Sequence, residues 1–212
     1  MCFFSELFPS LLLPTTLDIM LKEKLKNYNI ILASGSPRRQ QFFRDLDLDF
    51  EIRLKEVEEI YPTDLRAEEI TEYLAVLKSQ AFENELHEND ILITSDTIVW
   101  HQERALGKPK DYDDAFEMLQ SLSNTTHKVI TSICLKTAKK IDLITETTQV
   151  TFHALKKEEI EYYLENYQPY DKAGSYGIQD WIGYIAVAKI EGSYPNVMGL
   201  PVDKLYHFLS KL

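Results

Sequence analysis

One short segment of the chain combines the groups that bind phosphate. Ser34 and Ser36 supply two hydroxyls, and the adjacent Arg38 and Arg39 supply two guanidinium groups. Ser36 is a favourable N-cap and Pro37 suits the first helical position, so this sequence predicts a helix N-terminus whose backbone N–H groups attract anions. The helix dipole disfavours arginine at this end, and a bound polyanion would explain the pair. An ordinary capped helix with solvated arginines is the alternative.

Acidic side chains elsewhere could supply a cation site or a general base. Asp96 follows a strongly apolar run, and we expect it at the carboxyl end of a strand, the edge where open α/β sheets bind ligands. A carboxylate there can hold a divalent cation or orient a water. Glu58 and Glu59, in the acidic segment 55–60, could provide a second carboxylate. The alternatives are an aspartate that caps a turn and glutamates that are merely solvated.

Two lysines could address phosphate oxygens as point charges. Lys108 stands between Gly107 and Pro109, which fix the backbone around it. Lys78 falls on a predicted helix. Each lysine taken alone also fits a solvated surface residue.

A glycine-rich segment near the C-terminus could contact a base. Gly174 and Gly177 allow the backbone to approach a ligand closely, and Lys172 precedes them. Tyr176 offers an aromatic face, and Gln179 offers an amide that both donates and accepts hydrogen bonds. Such an amide matches part of the edge of a uracil or thymine ring. A β-bulge without a ligand is the alternative.

The elements that must position these side chains follow from apolar periodicity and turn residues. Helices alternate with strands early in the chain and long strands cluster late, which predicts an α/β fold with a mixed central sheet and helices on its faces. We predict strands at 28–34, 49–54, 91–97, 127–136, 141–154 and 182–190, and helices at 37–45, 67–84, 113–122, 158–166 and from Pro201. Residues 98–100 either continue the third of these strands or begin a hairpin.

Composition narrows the class of protein. The 212 residues are 44% hydrophobic and carry a net charge of −11, which fits one globular domain and disfavours nucleic-acid binding. Cys2 and Cys134 form no disulfide framework or metal-ligand spacing, so we expect a cytoplasmic protein in a reducing compartment. His127 and His153 fall in predicted strands, and we interpret both as core or edge residues.

The first 19 residues differ from the rest of the chain. They contain no Lys or Arg, and their apolar run is too short to span a membrane, so no membrane association is expected. Met20 opens an ordinary start directly before the first strand. We expect residues 1–19 to be a non-native or mis-annotated extension, and residues 20–212 to form a single domain.

Taken in order, six blocks of this sequence resemble the Maf family of nucleotide pyrophosphatases, which is related in fold to the inosine triphosphate pyrophosphatases. They run from about residue 28 to the C-terminus. The blocks are LASGSPRR at 32–39, SDTIV at 95–99, GKP at 107–109, HxVxT at 127–131, DKAGSYGIQ at 171–179 and EGSYxNVxGLP at 191–201.

The resemblance implies a hydrolase that cuts nucleoside triphosphates between the α and β phosphorus atoms, and an elongated mixed sheet with two lobes around a cleft. It implies a divalent cation, Mg²⁺ or Mn²⁺, held by Glu59 and Asp96, and is compatible with a homodimer. The family's catalytic positions fall on Asp96, Glu59, Lys78 and Lys108.

The resemblance also bears on the substrate. The family's base-selecting positions fall on Arg38, Thr97 and Gln179, the set typical of the branch that acts on dTTP and UTP. Asp180, followed by Trp181, departs from the small residues that many members carry there. A nucleotide-binding regulator of septum formation, with incidental hydrolysis, is the alternative that the family's historical name suggests.

Overall fold

The computed structural model describes the backbone of residues 16–212 and the side chains of residues 21–212. The predicted extension, residues 1–19, therefore lies outside the described side chains and stays a prediction. The strands are β1 Asn29–Leu32, β2 Phe50–Ile52, β3 Asp90–His101, β4 Arg104–Leu106, β5 Thr126–Lys136, β6 Ile141–Phe152 and β7 Val187–Glu191. The helices are α1 Thr16–Leu25, α2 Pro37–Asp45, α3 Glu68–Gln80, α4 Tyr112–Leu122, α5 Lys157–Tyr167, α6 Trp181–Ala186, α7 Tyr194–Val197 and α8 Val202–Leu209, with a 3₁₀ turn at Ala173–Ser175.

The strands form one seven-stranded mixed sheet in the order β2-β1-β3-β5-β6-β7, and β4 pairs with β3. β2, β1 and β3 run parallel to one another, whereas the pairs from β3 through β7 are antiparallel. The predicted class, α/β with a mixed central sheet and helices on its faces, is confirmed. Among the described residues, no helix has the length and apolar character that a membrane span requires.

The sheet has a gap along one edge of β3. β1 pairs with residues 90–93 of β3, and β4 pairs with residues 99–101 on the same side. Within residues 16–212, no strand pairs with residues 94–98 on this side, although β5 pairs with them on the other. β1 and β4 both run toward the gap, so the segments that follow their carboxyl ends flank it.

The side chains of β3 alternate between two differently covered faces, as the period of a strand requires. The even-numbered face packs against α3, where the Thr94 hydroxyl donates to the Ala75 carbonyl at 2.7 Å. The odd-numbered face carries two apolar clusters, one around Ile91 and Ile93 and the other around Val99. Polar side chains of β3, Ser95 and Thr97, lie between these two clusters.

Three local predictions were wrong. The predicted strand 182–190 is helix α6 followed by β7: the Gly183 N–H donates to the Asp180 carbonyl at 2.9 Å and closes a turn, in which a Cβ at Gly183 would lie only 1.8 Å from the Ile178 carbonyl oxygen. Asp96 lies in the middle of β3, not at its end, because the strand continues along β5 beyond the end of β1. His153 lies just past β6 and is exposed.

Candidate active site in the gap of the sheet

A cleft of about 650 Å³ occupies the gap in the sheet. Its walls are the segment after β1, the acidic loop before α3, the turn after β4 and the glycine-rich segment around the 3₁₀ turn. The structure brings to this cleft twelve of the side chains singled out from the sequence, the exception among the acidic ones being Glu58. They are Ser34, Ser36, Arg38, Arg39, Glu59, Lys78, Asp96, Thr97, Lys108, Lys172, Tyr176 and Gln179.

A lysine bridges two carboxylates on the α3 side of the cleft. Lys78 Nζ lies 2.7 Å from Asp96 Oδ1 and 3.0 Å from Glu59 Oε1. The Asp96 side chain is only 8% exposed, whereas Glu59 is 45% exposed on its loop. Glu58, the neighbouring glutamate, does not line the cleft. Strand β3 therefore holds Asp96 and helix α3 holds Lys78, whereas the loop before α3 carries Glu59.

The charges around Glu59 determine its protonation state. Burial alone would raise the pKa of Glu59, but Lys78, Lys108 and Arg39 outweigh it, and the pKa lies below its ordinary value. Glu59 is therefore a carboxylate at neutral pH. Ionised oxygens are the ligands that Mg²⁺ prefers.

The carboxylates fit a cation that is shared with a substrate. Among the described residues, no group of three or more His, Cys, Asp or Glu could hold a metal alone. Glu59 and Asp96 approach one another through Lys78, and Mg²⁺ is commonly bound by one or two carboxylates together with substrate phosphates.

Arg39 links helix α2 to strand β3 and to the loop after α7. Its Nε donates to the Gly199 carbonyl at 2.8 Å, Nη1 to the Ser95 carbonyl at 3.2 Å and Nη2 to Thr97 Oγ1 at 2.9 Å. Burial lowers the pKa of Arg39, while the nearby Asp96 carboxylate opposes this shift. Three of the five N–H groups of this guanidinium thus make hydrogen bonds to other described residues.

The segment after β1 has the predicted capped geometry. Ser36 precedes α2, and its Oγ accepts a hydrogen bond from the Arg39 N–H at 3.5 Å, with Pro37 in the first turn. Ser34 Oγ accepts from the Ser36 N–H at 3.3 Å. The residues at this helix N-terminus line the cleft, as a phosphate-binding site requires.

A chain of ion pairs joins the N-terminus of α2 to the segment that precedes the 3₁₀ turn. Arg38 Nη1 lies 3.4 Å from Asp171 Oδ2, and Lys172 Nζ lies 2.7 Å from Asp171 Oδ1. Burial raises the pKa of Asp171, but the hydrogen bond and charge of Lys172, together with Arg38, outweigh it and leave the pKa below its usual range. The two cations thus lie close together beside one exposed carboxylate.

The turn after β4 is attached to the glycine-rich segment. The Gly174 N–H donates to the Gly107 carbonyl at 3.0 Å. This hydrogen bond holds the residue directly before Lys108 in place. Gly174 has φ +66°, and a Cβ there would lie 2.7 Å from Val99 Cγ2. This close approach to β3 requires glycine.

Tyr176 lines the cleft but is anchored in the core. Its hydroxyl pairs with His127 Nε2 at 2.8 Å, and its ring makes edge contacts with His127 and Phe152. Only 6% of Tyr176 is exposed. The predicted aromatic face is therefore largely covered by protein, and the interpretation of His127 as a core residue is confirmed.

Several buried polar residues support the site and received no role from the sequence. Thr131 Oγ1 lies 2.9 Å from Thr97 Oγ1 and donates to the Asn196 carbonyl at 3.1 Å. The Asn196 amide donates to the Val129 carbonyl and to Thr148 Oγ1. Their burial depends on strand register, which no short-range signal in the sequence reveals.

A family model described as "Maf-like protein" matches residues 29–212 of this chain. The chain belongs to the Maf family. Of the residues without a predicted role, His127, Thr131 and Asn196 stand within blocks that carried the Maf resemblance. Membership of those blocks is therefore the signal that could have found them.

Several relatives align with this Maf chain over most of its length. The dTTP/UTP pyrophosphatase of Flavobacterium johnsoniae is 68% identical over 193 residues, which cover 91% of this chain and 100% of the relative. That of Flavobacterium psychrophilum is 63% identical, with 90% and 97% covered. The dTTP/UTP pyrophosphatase of Phocaeicola vulgatus is 51% identical, with 90% and 99% covered.

A solved structure with a similar arrangement is that of the Staphylococcus aureus Ham1 protein. Its TM-score to this chain is 0.49 at 15% sequence identity, and the match covers 86% of this chain and 98% of the other.

Proposed function

We propose that this protein hydrolyses nucleoside triphosphates, dTTP and UTP in particular, to the monophosphate and pyrophosphate. The observation that carries the proposal is the bridge from Lys78 to Asp96 and Glu59, in a cleft whose other walls present arginine and lysine side chains. The names of the relatives, dTTP/UTP pyrophosphatase at 68% and 63% identity, support the reaction and the substrate class.

In this reaction a water oxygen bonds to the α phosphorus while the bond from that phosphorus to the α–β bridging oxygen breaks. Asp96 accepts the proton of the attacking water through the oxygen that Lys78 does not contact. Lys78, which extends from α3, holds the Asp96 carboxylate in place through its other oxygen. The leaving pyrophosphate takes up negative charge, which the cations of the cleft stabilise.

Glu59 and Asp96 would hold a divalent cation, Mg²⁺ or Mn²⁺. When bound, such a cation neutralises phosphate charge and orients the phosphate chain. Ser34, Ser36 and the N-terminus of α2, with Lys108 and Lys172, provide donors for the phosphates.

Arg38, Thr97 and Gln179 line the part of the cleft that we assign to the base. Tyr176 lies beneath this part of the cleft and supports the residues that line it. The reaction takes place in the cytoplasm, in keeping with a chain that has no disulfide framework.

The test is pyrophosphate release, with Mg²⁺ or Mn²⁺, from the canonical ribo- and deoxyribonucleoside triphosphates. We expect dTTP and UTP to lead the panel. Asp96→Asn should fold normally, bind triphosphate and lose about 10²–10³-fold in kcat, the usual effect of removing one positioned polar group. Asp203→Asn, on the exposed side of α8, is the matched control and should retain activity.

Near-normal turnover by Asp96→Asn would remove Asp96 from the mechanism. Binding of nucleotide by the wild-type protein without pyrophosphate release would instead favour the alternative, a nucleotide-binding regulator of septum formation.

A further inference from the structure

We propose that Asp180 is a positioning residue that determines which atom of the Gln179 amide faces the bound base, and thereby disfavours cytosine. The inference rests on the proposed function, because it concerns the choice among nucleoside triphosphates. Asp180 follows the glycine-rich segment and immediately precedes α6. It stands where the Maf resemblance leads us to expect a small residue.

The Tyr163 hydroxyl holds the Asp180 carboxylate from behind. That hydroxyl accepts a hydrogen bond from the Gly177 N–H at 3.1 Å and donates its one proton to Asp180 Oδ2 at 2.8 Å. Lys172 Nζ lies 3.8 Å from the same oxygen. Only 18% of the Asp180 side chain is exposed, so packing and hydrogen bonds hold the carboxylate in one place.

Gly177 shows how tightly this arrangement is packed. A Cβ at Gly177 would lie 2.4 Å from Asp180 Oδ2 and 2.9 Å from Gln179 Nε2. The glycine therefore allows the carboxylate and the amide to lie side by side over the backbone. Any side chain at this position would push them apart.

The other carboxylate oxygen fixes the direction of the Gln179 amide. Gln179 Nε2 donates to Asp180 Oδ1 at 3.2 Å. An ionised carboxylate only accepts hydrogen bonds, so the NH₂ end of the amide must face it and the carbonyl end cannot. Within residues 21–212, Gln179 Oε1 has no hydrogen-bond partner, and Gln179 lines the cleft.

The consequence is a hydrogen-bond acceptor at the base end of the cleft. Uracil and thymine carry an N–H at ring position 3, which can donate to Gln179 Oε1. Cytosine carries an unprotonated nitrogen there, which would face the amide oxygen acceptor to acceptor. If Asp180 did not hold the NH₂ end, the amide could turn and donate to cytosine instead.

The experiment compares kcat/KM for UTP and CTP in four proteins. They are the wild type, Asp180→Ala, Asp180→Asn and Glu165→Ala, the last an exposed position on the same helix as Tyr163. Asp180→Ala should narrow the preference for UTP over CTP by about three- to tenfold, the effect of one hydrogen bond. In Asp180→Asn the single carbonyl oxygen must accept from the Tyr163 hydroxyl, so the new NH₂ group faces Gln179 and turns its amide; this variant should also narrow the preference. Glu165→Ala should retain it.

A double-mutant cycle separates positioning from a general structural effect. In a Gln179→Leu background, Asp180→Ala should leave the ratio of UTP to CTP turnover unchanged, because the amide that Asp180 positions is gone. An equal change in ratio in both backgrounds would overturn the inference.

The wild-type protein offers a second measurement that does not depend on the folding of a variant. UTP methylated at ring position 3 lacks the donor, and we expect at least a tenfold lower kcat/KM than for UTP. Undiminished turnover of the methylated nucleotide, or an unchanged UTP preference in folded Asp180→Ala, would refute the role of Asp180. A wild type that releases no pyrophosphate from UTP would refute the proposed function instead.

Discussion

His127 is a buried histidine that should make the stability of the fold depend on pH. It lies on β5 and is 2% exposed, with its ring edge-on to Phe152 and its Nε2 bonded to the Tyr176 hydroxyl. Among the described residues, its Nδ1 has no hydrogen-bond partner. A protonated ring would therefore place a charge, and an N–H without an acceptor, inside the apolar cluster around Val99.

Burial lowers the pKa of His127 from 6.5 to about 3, and the neighbouring His101 contributes in the same direction. The native pKa lies below the unfolded one, so between pH 6.5 and 3 the unfolded chain binds the extra proton. The stability that the neutral ring provides is complete above pH 6.5 and is lost progressively as the pH falls toward 3.

The size of the effect follows from the linkage relation. Each pH unit in this window costs about 1.4 kcal/mol, so lowering the pH from 7 to 5 should cost about 2 kcal/mol through His127 alone. For a domain of this size, that loss corresponds to a fall in Tm of about 4–8 °C.

The assay is the free energy of unfolding in urea, measured at pH 7 and at pH 5 for three proteins. His127→Gln cannot take up the proton, and its loss of stability between the two pH values should be about 2 kcal/mol smaller than in the wild type. His153→Gln changes an exposed histidine and should behave like the wild type. Comparing pH differences within each protein cancels the packing that His127→Gln loses at both pH values.

Equal pH differences in the wild type and His127→Gln would refute this reasoning. They would mean that the imidazole is already protonated in the native protein at pH 7, or that a buried hydrogen-bond acceptor stabilises the protonated ring.

Lys78→Met leaves the Asp96 carboxylate buried without its cation, and we expect a loss of about 3 kcal/mol in unfolding free energy and more than ~10²-fold in pyrophosphate release. Lys78→Arg keeps the charge, so it should recover stability better than turnover, and a fully stable Lys78→Met would contradict the assigned ion pair. Gly174→Ala places a Cβ 2.7 Å from Val99 at a positive φ, and urea unfolding should show a loss of about 1–3 kcal/mol. Gly107→Ala, where a Cβ would meet nothing within 4 Å, should change stability little, and equal losses at the two glycines would argue against the close approach.

Local chemistry accounts for the parts of the fold that were predictable. Helix α2 begins and ends where the sequence indicates, at Pro37 and Asp45, because the Ser36 cap and the proline act within one turn. All twelve predicted cleft residues line one cavity, which the order of the strands makes possible. Their assigned roles in catalysis and binding stay predictions.

The misplaced features depend on contacts between distant parts of the chain. Asp96 lies in mid-strand because β5 continues to pair with β3 after β1 has ended, and no residue near Asp96 encodes that partner. The segment 181–186 is apolar enough for a strand but forms helix α6, in which Gly183 lies so close to the Ile178 carbonyl that no Cβ fits there. The link between Asp180 and Gln179 likewise needs Tyr163, which a separate helix supplies.

Consecutive residues of a strand project in opposite directions, and this simple rule shapes the ligand that the cleft can accept. Asp96 reaches Lys78 on one side of β3, whereas Thr97 reaches Arg39 on the other. A molecule that contacts both side chains must pass around the unpaired edge of β3 at residues 94–98, with its two ends on opposite faces of the sheet. Insertion of a single residue before Asp96 would exchange the two sides and leave the acid among the partners of the threonine.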